Sequence, residues 1–110
     1  MIVVDTNVLA ARNLTSVSTW LAEQVESLDP VWIVPPLWRY EFQNILAKAL
    51  RVRQISLRDA LAVWEKASTR MADNEHEPSP ERVIGLSNDH GITGYDANFI
   101  ALAQETGVLC

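Results

Sequence analysis

The sequence is poor in the residues that would tie it to an oxidising compartment or to a membrane. Its single cysteine is Cys110, the last residue, so no internal disulfide can form and nothing favours an oxidising environment. The N-terminal apolar run lacks the basic segment of a signal peptide and is broken at Asp5, and no later run approaches membrane-spanning length. We therefore expect a cytoplasmic protein without a membrane segment.

Basic residues are also scarce, because nine lysines and arginines stand against 14 acids and give a net charge of −5. This balance argues against broad electrostatic capture of phosphate backbones, so binding of nucleic acid would require a local concentration of basic residues. Such a concentration exists between residues 39 and 58, at Arg39, Lys48, Arg51, Arg53 and Arg58. An ordinary solvated helix surface explains a run of this kind at least as often.

The chain also lacks the histidine and cysteine spacing of a zinc site. Its two histidines, His76 and His90, show no ligand spacing and are expected at the surface or at helix ends. At 110 residues the chain is expected to form one domain over its whole length, with one core and no internal repeat or linker.

What the sequence does contain is an alternation of short apolar runs and helix-like patterns. Residues 2–4 and 31–34 are typical of buried strands, and the first strand is expected to open into a turn. Helices are predicted at residues 16–28, 37–50, 57–71, 79–90 and 93–106, a loop or short edge strand at 73–77, and a last strand at 108–110. This order predicts an α/β fold with a parallel sheet, whose ligand sites lie beyond the carboxyl ends of its strands.

The apolar face of the helix predicted at 37–50 carries an acid. Glu41 has an apolar residue one turn before it and another one turn after it. An ionised and unpaired carboxylate on such a face would cost several kcal/mol, so Glu41 needs a cation, a hydrogen-bond network or a proton. A metal ion would meet that need, and so would a structural salt bridge with Arg39 or Arg12.

Two further acids admit both a functional and a structural interpretation. Asp5 follows the first strand at the edge where ligands of such folds bind, although it could also be a turn residue. Asp96 shares a helical face with Phe99 and Ile100 and is expected to point inward, although it could instead complete a capping box with Thr93. Taken together with Glu41, these positions are better explained by one divalent-metal site than by three separate structural roles.

Three motifs resemble those of a known family in their order and spacing. They are Ile-Val-Val-Asp-Thr-Asn at residues 2–7, Val-Pro-Pro-Leu-Trp-Arg-Tyr-Glu at 34–41 with Asn44 after it, and His-Gly-Ile-Thr-Gly-Tyr-Asp-Ala at 90–97. Together they resemble the PIN domain, a metal-dependent ribonuclease fold, and in particular the VapC-type toxins of bacterial and archaeal toxin–antitoxin pairs. The resemblance covers the whole chain and implies a three-layer α/β fold, with a mostly parallel central sheet flanked by helices.

The resemblance also implies roles for particular residues. The metal-binding and catalytic acids fall on Asp5, Glu41 and Asp96, and Thr6 and Asn7 match the polar residues that support the first of these acids. The implied cofactor is Mg²⁺ or Mn²⁺, which prefers carboxylate and water oxygens. The implied function is hydrolysis of RNA phosphodiester bonds by a toxin that forms a homodimer and is silenced by a cognate antitoxin protein.

One element of the family pattern is missing from this sequence. Family members usually continue into a Thr-x-Asp segment that supplies a fourth acid, so the domain is expected to be short at its C-terminus, with Asp89 and Asn98 as candidate replacements. One alternative is therefore a binding module that keeps the fold and a metal or partner site but has lost turnover. Another is an aspartyl-phosphate phosphatase or receiver domain, which the sequence disfavours because such phosphatases need an acid where Asn7 stands.

Overall fold

A pair of parallel strands lies in the core of this computed structural model, which describes residues 1–13, 23 and 31–108. Strand β1, Ile2–Val3, pairs with β2, Trp32–Ile33, so that Ile2 lies opposite Trp32 and Val3 opposite Ile33. Val34 adds an isolated parallel bridge to Glu75. Both strands predicted in the first part of the sequence are confirmed, and their pairing is parallel.

Five α-helices are described in full. They are α1 (Thr6–Asn13), α2 (Trp38–Arg51), α3 (Leu57–Met71), α4 (Pro80–His90) and α5 (Gly94–Thr106). The helix predicted at 16–28 lies outside the described residues except for Glu23, which is helical, and Val108 is not in the strand predicted at 108–110, whose other residues are not described. None of the described helices is both long enough and apolar enough to cross a lipid bilayer.

The first helix begins where the sequence predicted a turn. Asp5 is its N-cap, because Oδ1 accepts a hydrogen bond from the backbone N–H of Val8 at 2.9 Å and the Asp5 carbonyl accepts one from Leu9 at 3.2 Å. A turn and a helix cap use the same short-range hydrogen bonding by aspartate, which is why this segment resembled a turn. The chain therefore passes from β1 into α1 with only Val4 and Asp5 between them.

Side-chain caps begin three of the later helices. The N-cap side chain accepts a hydrogen bond from the backbone N–H three residues later, at 3.1, 3.3 and 3.0 Å for Ser56, Ser79 and Thr93. Gly91 and Gly107 end α4 and α5 in the left-handed conformation, with φ of 64° and 71°. The helices α2 to α5 are confirmed to within one residue at each end.

The start of α2, after Pro35-Pro36, is held by Glu75. Its Oε1 accepts a hydrogen bond from the indole N–H of Trp38 at 2.8 Å and lies 2.6 Å from Nε of Arg39. Trp64 of α3 stacks on Trp38, with 5.5 Å between ring centroids. Because Glu75 also forms the bridge to Val34, these contacts anchor α2 to the sheet edge and to α3.

Apolar clusters cover both faces of the strand pair. The larger cluster packs α1, α2 and α3 against one face through residues such as Leu9, Trp32 and Phe42. The smaller cluster packs α5 against the other face and includes Ile33 and Leu102. Successive residues of each strand belong to different clusters, because the side chains of a strand point alternately to its two faces. The described sheet has two strands, so the wider central sheet of the predicted three-layer fold is not shown.

Glu105 of α5 links that helix to the start of α4. Its Oε1 accepts a hydrogen bond from the backbone N–H of Ser79 at 2.9 Å and lies 3.4 Å from Nε of Arg82. These interactions, chiefly the hydrogen bond from the Ser79 N–H, lower the pKa of Glu105 below its ordinary value. Such a group stabilises the fold above its unfolded-state pKa and loses that contribution as the pH falls through its lower folded-state pKa.

We predict that Glu105→Gln lowers the free energy of unfolding at neutral pH and that its difference from wild type shrinks in acid. This stability difference should begin to shrink near the unfolded-state pKa of glutamate, about 4.3, and should shrink further at lower pH. Urea unfolding followed by circular dichroism across this range measures the effect, and Glu81→Gln is the matched control for loss of one negative charge. A Glu105→Gln difference that stays constant with pH would contradict the prediction.

Candidate functional site

The three acids singled out in the sequence line one cavity at the carboxyl end of β1. The cavity has a volume of about 410 Å³ and is lined by Asp5, Thr6, Asn7, Glu41, Asn44, Ile45, Asp96, Phe99 and Ile100. Asp5 lies at the junction of β1 and α1, Glu41 in the first turn of α2 and Asp96 in the first turn of α5. Three segments that are distant in the sequence therefore meet at the edge where the sequence predicted a ligand site.

Asp5 is exposed and has both a structural and an available carboxylate oxygen. Oδ1 caps α1 through the Val8 N–H. Oδ2 has no hydrogen-bond partner within the described part of the chain. The capping role and a ligand role are compatible, because each uses a different oxygen of the same carboxylate.

Glu41 is partly buried and is held by a hydrogen bond from Thr6. Thr6 Oγ1 donates to Glu41 Oε1 at 2.7 Å and joins residues 35 positions apart. Thr6 itself is only 5% exposed. The hydrogen bond supplies part of the compensation that a carboxylate on this helix face was expected to need. The family resemblance matched Thr6 to a residue supporting Asp5, whereas its hydroxyl supports Glu41.

The salt bridge considered for Glu41 is not made by Arg39, whose Nε lies 2.6 Å from Glu75 instead. The side chain of Arg12, the other candidate, is not among those that the structure describes. No lysine or arginine is found among the described residues that line the cavity. The lining therefore brings three carboxylates together without a neutralising side chain from these residues.

Asp96 lines the cavity from the first turn of α5. It is exposed and therefore not buried in the core, unlike the apolar residues that follow it on the same helix face. Phe99 and Ala103 share its face and are buried, but Asp96 lies one turn earlier, at the end of α5 that opens on the cavity. Its backbone N–H donates to Thr93 Oγ1 at 3.0 Å, which is one half of the capping box considered from the sequence.

Comparison with known proteins assigns the chain to a family. Residues 2–109 match the family model of the PIN domain, which is nearly the whole chain. This chain belongs to the PIN domain family. PIN domains are α/β proteins, generally metal-dependent nucleases, and PIN nucleases bind RNA. None of the curated proteins compared with the chain matches it. The resemblance to the PIN domain is therefore confirmed, and the VapC-type subclass stays a prediction.

The oxygen-rich lining fits the divalent cations that PIN domains typically use. Carboxylates, a hydroxyl and side-chain amides are hard ligands, which suit Mg²⁺ and Mn²⁺ better than zinc. Within residues 1–13, 23 and 31–108, no three His, Cys, Asp or Glu side chains lie close enough to enclose an ion by themselves. A closed cage is not required, because Mg²⁺ usually keeps several waters in its coordination shell, and these complete what the side chains do not supply.

Asn44, which follows the second motif, also lines the cavity of this PIN domain. It lies three residues after Glu41, and this helical spacing alone would have placed it there. The candidates to replace a fourth acid lie elsewhere. Asn98 Nδ2 donates to the carbonyl of Gly94 at 2.7 Å, and Asp89 lines a separate cavity on α4.

We predict that Asp5→Ala lowers the free energy of unfolding by about 1 kcal/mol, because it removes the N-cap of α1. Asp5→Asn should keep nearly the wild-type stability, since asparagine caps a helix about as well as aspartate. Urea denaturation of the two variants beside wild type measures the difference. Equal stability of the alanine and asparagine variants would show that the capping bond contributes nothing to the fold.

Proposed function

We propose that this PIN domain is a Mg²⁺- or Mn²⁺-dependent endoribonuclease that hydrolyses RNA phosphodiester bonds at the acidic cavity. The observation that carries the proposal is the convergence of Asp5, Glu41 and Asp96 on one cavity, in a chain of a family whose members are generally metal-dependent nucleases. In this proposal the three acids are the metal ligands and catalytic residues. Thr6 and Asn7 are supporting residues.

A divalent cation would supply, when bound, an activated water and positive charge beside the scissile phosphate. The residues of the chain hold and orient the reacting groups. Asp5 contributes the oxygen that does not cap α1, and the Thr6 hydroxyl fixes one oxygen of Glu41. Because the lining is acidic, RNA can approach it closely only when that negative charge is offset.

We also propose that the enzyme is a cytoplasmic toxin, silenced by a cognate antitoxin protein that covers the acidic cavity. This role is supported by the motifs at residues 2–7, 34–41 and 90–97, which resemble those of VapC-type toxins. A homodimer is part of the same proposal. It is supported by an apolar depression of about 300 Å³ between α2 and α3, beside which Leu57 and Leu61 are 62% and 58% exposed.

We predict that the purified protein cleaves single-stranded RNA in the presence of Mn²⁺ and that a chelator stops the cleavage. Asp5→Asn, Glu41→Gln and Asp96→Asn should each lower the cleavage rate by about a hundredfold or more, because each removes a carboxylate from the cavity. Cleavage of end-labelled RNA resolved on gels measures the rates. Asp59→Asn, which removes an acid from the first turn of α3, is the control and should cleave like wild type.

Asp5→Asn is the most informative of these variants because asparagine preserves the helix cap. Full cleavage activity in this variant would contradict the proposed site. Calorimetric titration with Mn²⁺ is read together with the cleavage assay. Mn²⁺ binding with cleavage indicates the enzyme, and Mn²⁺ binding without any cleavage of RNA indicates the binding-module alternative. Trapping of a phosphoryl group on Asp5 would instead favour the aspartyl-phosphate alternative.

A further inference from the structure

One exposed face of α2 leads away from the acidic cavity. Its residues are spaced by four, four and three positions, and all of them are exposed: Tyr40, Asn44, Lys48 and Arg51. At 3.6 residues per turn these positions fall within about 80° of the helix circumference, on the side next to Glu41. We call these four residues the α2 stripe.

The α2 stripe meets the cavity at Asn44, which is part of the lining. Tyr40 lies one turn before Asn44, and Lys48 and Arg51 lie one and two turns after it. Tyr40 is 69% exposed, so packing in the core does not account for this aromatic ring. A large exposed ring therefore lies at one side of the cavity, and two cations lie at the other.

The two cations of the α2 stripe are available for a ligand. Arg39 is engaged by Glu75, and Arg82 lies against Glu105. Lys48 and Arg51, by contrast, have no ion-pair partner in the part of the chain that the structure describes. In a protein with a net charge of −5, they form a local positive surface beside an acidic cavity.

We propose that the α2 stripe is the path along which single-stranded RNA crosses the acidic cavity. Tyr40 stacks on an unpaired base, Asn44 donates a hydrogen bond beside the scissile phosphate, and Lys48 and Arg51 contact phosphates further along the strand. The proposal rests on the ribonuclease function proposed above. It deepens that function by assigning substrate-binding residues and a preference for single strands.

Two physical arguments support this path. An exposed aromatic ring stacks on a base only when that base is unpaired and splayed out, which selects single-stranded RNA. Arg51 lies about 10 Å along the helix axis from Asn44, at 1.5 Å per residue. At that distance Arg51 reaches phosphates that neighbour the scissile one, and the cavity itself remains accessible to a divalent cation.

Binding of a fluorescein-labelled single-stranded RNA, measured by fluorescence anisotropy with Ca²⁺ in place of Mn²⁺, tests the path separately from cleavage. The double variant Lys48→Gln/Arg51→Gln should bind about tenfold more weakly at moderate salt. The slope of the logarithm of its binding constant against the logarithm of the salt concentration should be shallower by about 1.4. Each contact with a phosphate of a single strand contributes about 0.7 to that slope. The matched control is Lys66→Gln/Arg82→Gln, which removes two exposed cations outside the basic segment of residues 39–58 and should keep the wild-type affinity and slope.

The stacking contact has its own pair of variants. Tyr40→Ala should weaken binding by about fivefold or more, whereas Tyr40→Phe should keep the affinity because the ring and not the hydroxyl stacks. Ile84→Ala, at another exposed large side chain, is the control. Thermal unfolding of every variant verifies that the fold is retained.

The possible failures are distinguishable. If wild type binds RNA and the double variant binds it with the same affinity and salt slope, the path is overturned and the ribonuclease proposal stands. If wild type neither binds nor cleaves RNA, both proposals are overturned. Weaker binding by the double variant, with an unchanged control, supports the path whether or not the protein also cleaves the RNA.

Discussion

The hydrogen bond from Thr6 to Glu41 is the interaction on which the arrangement of the acidic cavity depends. Thr6 begins α1 just after β1, and Glu41 lies in the first turn of α2 after β2. The bond therefore ties together the segments that leave the carboxyl ends of two paired parallel strands. Its donor is buried, so the orientation of Glu41 depends on the strand pairing and on the packing of α1. Asp5 precedes Thr6 in the chain and therefore lies at the same edge of the sheet, beyond the carboxyl end of β1.

A second constraint explains why the cavity remains acidic. Glu75 engages both Trp38 and Arg39, and Arg39 is the cation nearest to Glu41 in the sequence. With Arg39 held at the sheet edge, the described residues of the cavity lining include no positive side chain. Carboxylate oxygens around one cavity suit a divalent cation, whose positive charge offsets theirs. Glu75 thus neutralises Arg39. Asp5, Glu41 and Asp96 remain available to the divalent cation that PIN domains typically use.

Short-range signals in the sequence predicted the helix boundaries, whereas long-range contacts determine the details of the site. The caps at Ser56, Ser79 and Thr93 were predictable because a cap involves residues only three positions apart. Asp5 shows the limit of such signals, since the same side chain can close a turn or begin a helix, and packing in the folded protein decides between them. The partner of Thr6 is 35 residues away, and the exposure of Asp96 depends on where α5 extends beyond the core, so helical or strand spacing predicts neither. The meeting of the three acids at one cavity followed from the motifs, because these fix each acid relative to the start of a helix.

The location of bound Mn²⁺ in crystals tests the central claim most directly, because an anomalous-difference map finds the ion without reference to activity. We expect a peak between the carboxylates of Asp5, Glu41 and Asp96, with waters completing the coordination shell. The same map from Asp5→Asn crystals, in which the cap of α1 is preserved, should lose that peak. A wild-type map with saturating Mn²⁺ and no peak in this cavity, or with peaks only elsewhere, would contradict the assignment of the metal site.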